Sequence, residues 1–257
     1  MGWKFTAAPK ADLPELRDGM PAGERVERLV DRPTVTVDVL RGADDALVVC
    51  KRYFFPTLGS RLRGILRHTG FGTPKPTREF ENLVRLQSAG ADVAAPIASA
   101  VRRDLLQLVT DGWVLVAFEE GDTLERLLLG ERPPAADAWR AIGASVRTIH
   151  DAGCWYRNLC ARNLMVGPAG RLAWIDPAKS RWQNGPVHET HALVDLIVLL
   201  DPVEPWMPDG SWEASFEGYG RWPGVRNAKD LLTLLPPITH SSVRGTLLRE
   251  RKRLGRI

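Results

Sequence analysis

Two asparagines and an aspartate carry the densest chemical signal in this 257-residue chain. Asn158 and Asn163 lie five residues apart in Tyr156-Arg157-Asn158-Leu159-Cys160-Ala161-Arg162-Asn163. Asp176 follows thirteen residues later, in Ala173-Trp174-Ile175-Asp176-Pro177. Gly167-Pro168-Ala169-Gly170 makes a turn between them, so the second half of the stretch reads as a short hairpin. Amide and carboxylate oxygens are hard donors suited to Mg2+, an ion usually held by one or two protein oxygens together with phosphates. A phosphoryl-transfer loop written H-R-D-L-x-x-x-N, followed by a hairpin and a metal-binding Asp, has this spacing. The closing Asn and the second Asp are present. The position of the catalytic Asp is held by Asn158.

That exchange has a defined chemical meaning. An Asp would accept the proton of the attacking hydroxyl, whereas an amide orients the hydroxyl through its carbonyl oxygen and cannot take the proton at neutral pH. General base catalysis contributes about 10²–10⁴-fold in rate. Phosphoryl transfer draws mostly on positioning and charge stabilisation. Asn158 therefore predicts weakened chemistry on retained nucleotide and metal anchors. Asp151 is a candidate substitute base, but it sits seven residues before Asn158 at a helix end, which limits its reach. Cys160 has no base placed to activate it and reads as a packing residue.

The elements that would position these groups are visible on either side. Ala135 to His150 has the helical spacing, with Trp139, Ile142, Val146 and Ile149 on one face and Gly153 as the stop. Earlier, residues 25–30, 34–40 and 46–53 are three strand-like runs separated by turns, with no G-x-G-x-x-G in the first turn. Lys51 lies in the third run, where a strand-borne Lys would reach nucleotide phosphates and pair with a Glu on the next helix. Thr77 to Gln87 reads as that helix, capped by Thr77; Glu79 is the expected Lys51 partner and Glu81 the reserve. A short helix is expected over 58–67, and extended segments over 93–101, 105–109 and 112–118. Glu119-Glu120-Gly121-Asp122 then forms a hinge before a helix at Leu124, and the hinge backbone would hold an adenine. Val187 to Leu200 is an apolar helix whose His188 and His191 are too few for a metal site on their own. The remainder is less regular until a basic helix at about 242–254.

Composition narrows the class. Hydrophobic residues make up 44% and charged residues 26%, with three cysteines and no C-x-x-C, which excludes a disulfide framework and a zinc ribbon. No apolar run approaches the roughly 20 residues of a membrane span. MGWKFTAAPKADLPEL has no continuous apolar stretch of the kind that opens a secretory signal. These features predict a cytoplasmic protein. Net charge is +4, concentrated between Lys51 and Arg78 and in the final RGTLLRERKRLGRI. Such patches suit a phosphorylated ligand, an anionic lipid surface or a solvated face, and no nucleic-acid module accompanies them.

In their order and spacing, KRYFFP, REFENLVRLQSAGADVAAPIA, WVLVAFEEGDTLERLL, IHDAGCWYRNLCARNLMV and GRLAWIDPAKS resemble the lipopolysaccharide core kinase family of the Kdo and heptose kinase type. The resemblance covers about residues 25–182. It implies an α+β, bilobal protein-kinase-like fold: a small β-rich N-lobe over about 25–118, a hinge at 119–122 and a mainly helical C-lobe over 123–257. Residues 1–24, rich in Pro, Gly and charge, read as a loosely held leading segment. The resemblance also implies ATP and Mg2+ as cofactors. Lys51, Glu79 and the hinge residue Glu119 would hold the nucleotide, and Asn163 and Asp176 the metal, with Asn158 in the catalytic Asp position. The acceptor would be an anionic sugar on a lipid-linked glycoconjugate, reached by peripheral contact at the inner face of the cytoplasmic membrane. Pro177-Ala178 in place of Phe-Gly, and the lack of an Ala-Pro-Glu segment, argue against a protein acceptor. A nucleotide-binding scaffold without turnover is the alternative that Asn158 keeps open.

Overall fold

The computed structural model describes residues 2–9, 15–42, 44–61 and 73–255. Strands β1 (Gly2–Ala7), β2 (Leu16–Arg17), β3 (Met20–Pro21), β4 (Glu24–Arg32), β5 (Val35–Arg41) and β6 (Leu47–Phe54) come first. Helix α1 (Lys75–Ser88) and strands β7 (Pro96–Arg103) and β8 (Val109–Ala117) follow. The chain divides into two compact units, Met1–Arg85 with Ala94–Phe118, and Leu86–Val93 with Glu119–Ile257. The first is β-rich and the second mainly helical, the α+β class expected from the strand and helix patterns.

In the first unit six strands form an antiparallel sheet in the order β1-β7-β8-β6-β5-β4. The meander β4-β5-β6 is the one read from the three β-branched runs. The segment ahead of it corrects the expectation of a loosely held start. β1 pairs with β7 along its whole length, from Gly2 opposite Arg103 to Ala7 opposite Ala98. Trp3, Leu16 and Met20 pack against a buried cluster of Cys50, Ala98, Ala100, Trp113 and Leu115. The Trp113 indole N–H donates to the Gly19 carbonyl at 2.9 Å. Polar and Gly/Pro-rich composition hid a segment whose few large apolar residues cover one face of the sheet. Residues 105–108, expected as extended, form the β7–β8 turn instead, because the Asp104 carboxylate accepts from the backbone N–H groups of Leu106 and Leu108. Of the helix expected over 58–67, only the opening turn is described, where Thr57 Oγ1 accepts from Ser60 N–H.

The second unit contains β9 (Asp122–Thr123), α2 (Leu124–Leu129), α3 (Ala136–Asp151), β10 (Cys154–Trp155), β11 (Leu164–Val166), β12 (Leu172–Trp174) and β13 (Arg181–Trp182). Helices α4 (Glu189–Leu200), α5 (Ser211–Tyr219), α6 (Ala228–Thr233) and α7 (Pro237–Arg253) complete it. The expected face of α3 is fully buried, with Trp139, Ile142, Val146 and Ile149 each 0% exposed. Gly153 follows the helix at φ +83° and donates its N–H to the His150 carbonyl, so it acts as the terminating glycine. α3 and α5 approach backbone to backbone. A Cβ at Gly143 would lie 1.9 Å from the Ser215 carbonyl oxygen, and one at Gly218 would lie 1.9 Å from that of Arg140. Gly143→Ala should therefore destabilise the protein by about 1–3 kcal/mol or more, seen as a lower urea midpoint; an unchanged midpoint would show that α5 can move away freely.

Candidate functional site

Strand alternation places the Cys50 thiol in the sheet core and the Lys51 ammonium on the opposite face. There Lys51 Nζ meets Glu79 Oε1 of α1 at 2.9 Å. The Tyr53 hydroxyl donates to the other oxygen of the same carboxylate. Glu79 is 3% exposed, and a buried carboxylate is sustained only when its oxygens are paired and hydrogen-bonded. Glu79 is thus the Lys51 partner, and Glu81 is exposed. Thr77, expected as the cap, lies inside the first turn of α1, which starts at Lys75. The absence of a glycine-rich lid also has a structural form, since β4 and β5 are joined by a tight turn at Pro33-Thr34.

In the second unit Asn158 is the centre of a compact polar cluster. Its Nδ2 donates to Asp176 Oδ2 at 3.3 Å, and its Oδ1 accepts from Lys179 Nζ at 3.3 Å. Flipping the amide would set its nitrogen against an ammonium and its oxygen against a carboxylate, so charge fixes its orientation. The backbone carbonyl of Asn158 accepts from Asn163 Nδ2 at 2.9 Å. That bond commits the Asn163 nitrogen inward and leaves its Oδ1 as the oxygen able to ligate a metal. Asp176 has left-handed backbone angles, φ 60° and ψ 50°, a region Asp tolerates better than most residues. Two hard oxygen groups tied to one loop fit a Mg2+ whose remaining ligands are water and phosphate. Among the described residues, no group of three or more His, Cys, Asp or Glu forms an all-protein metal cage.

The loop itself is held by a residue that the sequence reading passed over. Asp195, 1% exposed on α4, accepts from the backbone N–H of Tyr156 at 2.9 Å and of Arg157 at 3.0 Å. Those bonds hold Arg157 at φ 62°, the bend that turns Asn158 toward Asp176. His150 Nε2 lies 3.4 Å from the same carboxylate, and its Nδ1 lies 2.9 Å from the Tyr219 hydroxyl. Tyr156 is fully buried and donates its hydroxyl to the Ile175 carbonyl at 2.7 Å, linking the loop to the strand end that presents Asp176. A lone carboxylate in the apolar run ALVDLIVLL was the signal for Asp195. Lys179, three residues beyond Asp176, left no comparable mark. The Cys160 thiol is buried and pushed up to about 12 by that burial, with the Arg162 charge opposing, as suits a packing residue. Asp151 is engaged by Arg147 Nε at 2.6 Å, which leaves it poorly suited as a base.

Glu119, assigned to the hinge, directs its carboxylate to Arg171 NH2 at 2.7 Å, so any contact with an adenine would fall to its backbone. Part of the positive charge of the C-terminal helix is engaged within the fold, while Arg244, Arg249 and Lys252 are exposed. Arg251 pairs with buried Asp201, Arg253 pairs with Glu125, and Glu250 pairs with Arg162 of the catalytic-type loop. These cations stitch α7 to the second unit. Burial pushes the Glu250 carboxyl up, but hydrogen bonds and charge from Arg162 and Arg253 outweigh that and leave it below its ordinary range. A carboxyl depressed in the folded state stabilises above its unfolded value, about 4.3, and the contribution fades as pH falls through the folded value. Glu250→Gln should lower the melting temperature by a few degrees at pH 7, with the difference closing below about pH 4; a difference that is constant with pH would contradict the pairing.

The sheet, the hinge-and-helix succession and the loop–hairpin unit define a protein-kinase-like fold. The solved structure of WaaP in complex with acyl carrier protein is similar, with a TM-score of 0.56 at 16% identity over 89% of this chain and 88% of that one. The sequence model of the lipopolysaccharide kinase (Kdo/WaaP) family matches residues 40–202, more than half of the chain, and the protein belongs to that family. The 3-deoxy-D-manno-octulosonic acid kinase of Haemophilus influenzae strain PittEE is 30% identical over 112 residues, 42% of this chain and 46% of that protein. The enzyme of the same name from Vibrio cholerae O1 is 28% identical over 118 residues, 46% and 49% respectively. The chain thus spans about half the length of the curated relatives it matches. No helix among the described residues is long and apolar enough to cross a membrane.

Proposed function

We propose that the protein is an ATP-dependent phosphotransferase that phosphorylates a sugar hydroxyl of a lipid-linked glycoconjugate, with chemistry slowed by Asn158. The observation that carries this reading is the cluster of Asn158, Asn163, Asp176 and Lys179, a preassembled phosphoryl-transfer loop with one carboxylate exchanged for an amide. Lys51, held by Glu79, would contact the nucleotide phosphates, and the hinge backbone at Glu119 the adenine. Asn163 Oδ1 and the Asp176 carboxylate would hold Mg2+, which when bound neutralises charge on the phosphates. Asn158 Oδ1 keeps a lone pair after accepting from Lys179, and that lone pair can orient the acceptor hydroxyl. The hydroxyl proton would then pass to solvent water, since the Asn158 amide cannot take it. Work at the cytoplasmic face of the membrane, by peripheral contact, follows from a lipid-linked acceptor.

A second reading, a nucleotide-gated scaffold, is favoured by the engagement of both ends of the Asn158 amide. Titration with Mg·ATP followed by an assay with a lipid-linked acidic sugar separates the two. Nucleotide binding with slow transfer supports the kinase, and binding without transfer supports the scaffold. Absence of binding, with Lys51→Ala and Asp176→Ala indistinguishable from wild type, would overturn both.

A further inference from the structure

One end of the six-stranded sheet presents a cluster of exposed leucines. Leu105 and Leu106, in the β7–β8 turn, are 81% and 74% exposed, more than any other large apolar side chain among the described residues. The turn that presents them is a built one. The Asp104 carboxylate accepts from the backbone N–H groups of Leu106 and Leu108, Arg103 NH1 donates to the Gln107 carbonyl at 2.7 Å, and Gln107 takes φ 62°. Arg61 NH1 reaches Asp104 Oδ2 at 3.2 Å and ties the short helical turn at 57–61 to the same place. Leu58 lies one helical turn before Arg61, on its side of that turn, and is 57% exposed.

The charge around these leucines is positive. Arg102 and Arg103 immediately precede the turn, and Lys4 lies opposite Val101 on β1. Arg102 sits over the Trp3 ring at 5.7 Å from its centroid, and Arg103 donates to a carbonyl, so neither contact cancels a charge. Among the described residues no carboxylate pairs with Lys4, Arg102 or Arg103. Asp104 is the one acid in residues 101–109, and Arg61 holds it. Asp111, opposite Arg102 on β8, is buried and held by Arg52. A single exposed leucine is ordinary on a protein surface, but three gathered at one end beside uncompensated cations call for a partner that is apolar and anionic at once.

We propose that this end of the sheet docks on an anionic lipid surface, with Leu105, Leu106 and Leu58 entering the boundary between headgroups and acyl chains and Arg102, Arg103 and Lys4 resting among the headgroups. The inference deepens the proposed work at a membrane face and rests on that reading for the choice of a lipid surface. An interfacial anchor binds through buried apolar area together with attraction to anionic lipid, and both are present in this cluster. A turn is convex, which suits a fluid surface that can deform around it. Three leucine side chains offer no more hydrocarbon than one myristoyl chain, a marginal anchor on its own, so the contact is reversible and needs the cations as its second signal.

The test is sedimentation with vesicles of phosphatidylethanolamine and phosphatidylglycerol, compared with neutral phosphatidylcholine vesicles, without nucleotide or acceptor. Wild type should prefer the anionic vesicles by about tenfold or more and lose that preference at high salt. Leu105→Ser with Leu106→Ser, and separately Lys4→Gln with Arg102→Gln, should each weaken binding by about tenfold or more at an unchanged melting temperature. A solvatochromic dye on Leu106→Cys should shift to the blue on the anionic vesicles; the native cysteines are buried and stay unlabelled. Variants that bind as wild type does, equal binding to both kinds of vesicle, or a dye that stays in water overturns the proposal. Self-association that is lost in the leucine variants, without vesicle binding, assigns the cluster to a second copy of this chain and overturns it as well. Because the readout uses neither nucleotide nor acceptor, failure here leaves the phosphotransferase reading standing, and absence of phosphate transfer leaves the docking surface standing.

Discussion

If the proposed function holds, Asp176→Asn should lower Mg2+-dependent phosphate transfer by at least about 10²–10³-fold while the melting temperature stays close to that of the wild type. The substitution is nearly isosteric, and the new amide oxygen can still accept from Asn158 Nδ2, now at 3.3 Å from the carboxylate. Asn also tolerates the left-handed backbone found at this position. What disappears is one negative charge at the point where the metal and the phosphates would meet. A hard divalent cation loses its only charged protein ligand in the proposed set, and among the described residues no cluster of three or more His, Cys, Asp or Glu can substitute. The expected signature is a steep rise in the Mg2+ concentration needed for transfer together with a lower maximal rate. Wild-type Mg2+ dependence in this variant would remove Asp176 from the site.

Asn158→Asp should act in the opposite direction, raising the transfer rate by about 10²-fold or more. The carboxylate supplies the missing proton acceptor in an unchanged backbone setting, since Asp195, Tyr156 and Asn163 hold the loop through main-chain bonds that the side-chain exchange does not touch. The gain carries a cost. Two carboxylates in contact raise the pKa of the new one, and Lys179 and a bound cation would offset part of the repulsion. The variant should therefore be less stable than the wild type without Mg2+, and its rate should climb with pH until the new carboxyl is ionised. The wild-type protein, with no base on this residue, should lack that limb of the profile.

Much of this site could be read before the fold was known, for reasons that are local. Lys51 and Glu79 pair across 28 residues because a strand and the next helix impose few alternatives on a basic and an acidic residue so placed. Asn158, Asn163 and Asp176 sit within one loop and one hairpin, where spacing along the chain translates nearly directly into distance. Asp195 and Lys179 escaped because their roles depend on tertiary packing. Asp195 reaches the loop from 38 to 39 residues away, out of a helix whose composition otherwise signals only burial. The leading strand and helices α5 and α6 escaped for the converse reason. Their Gly, Pro and Trp content weakens local periodicity, and the sheet face or the close α3–α5 contact supplies what propensity does not. Part of the charge of the C-terminal helix could not be assigned from sequence, because Arg251 and Arg253 are spent on Asp201 and Glu125.

The most direct test of a retained site with an exchanged base is a single-turnover measurement of phosphate transfer from Mg·ATP to a lipid-linked acidic sugar by wild type and Asn158→Asp. Slow but measurable transfer by the wild type, accelerated at least about 10²-fold in the variant, is the predicted result. Transfer by neither protein, or a variant no faster than the wild type, would contradict it.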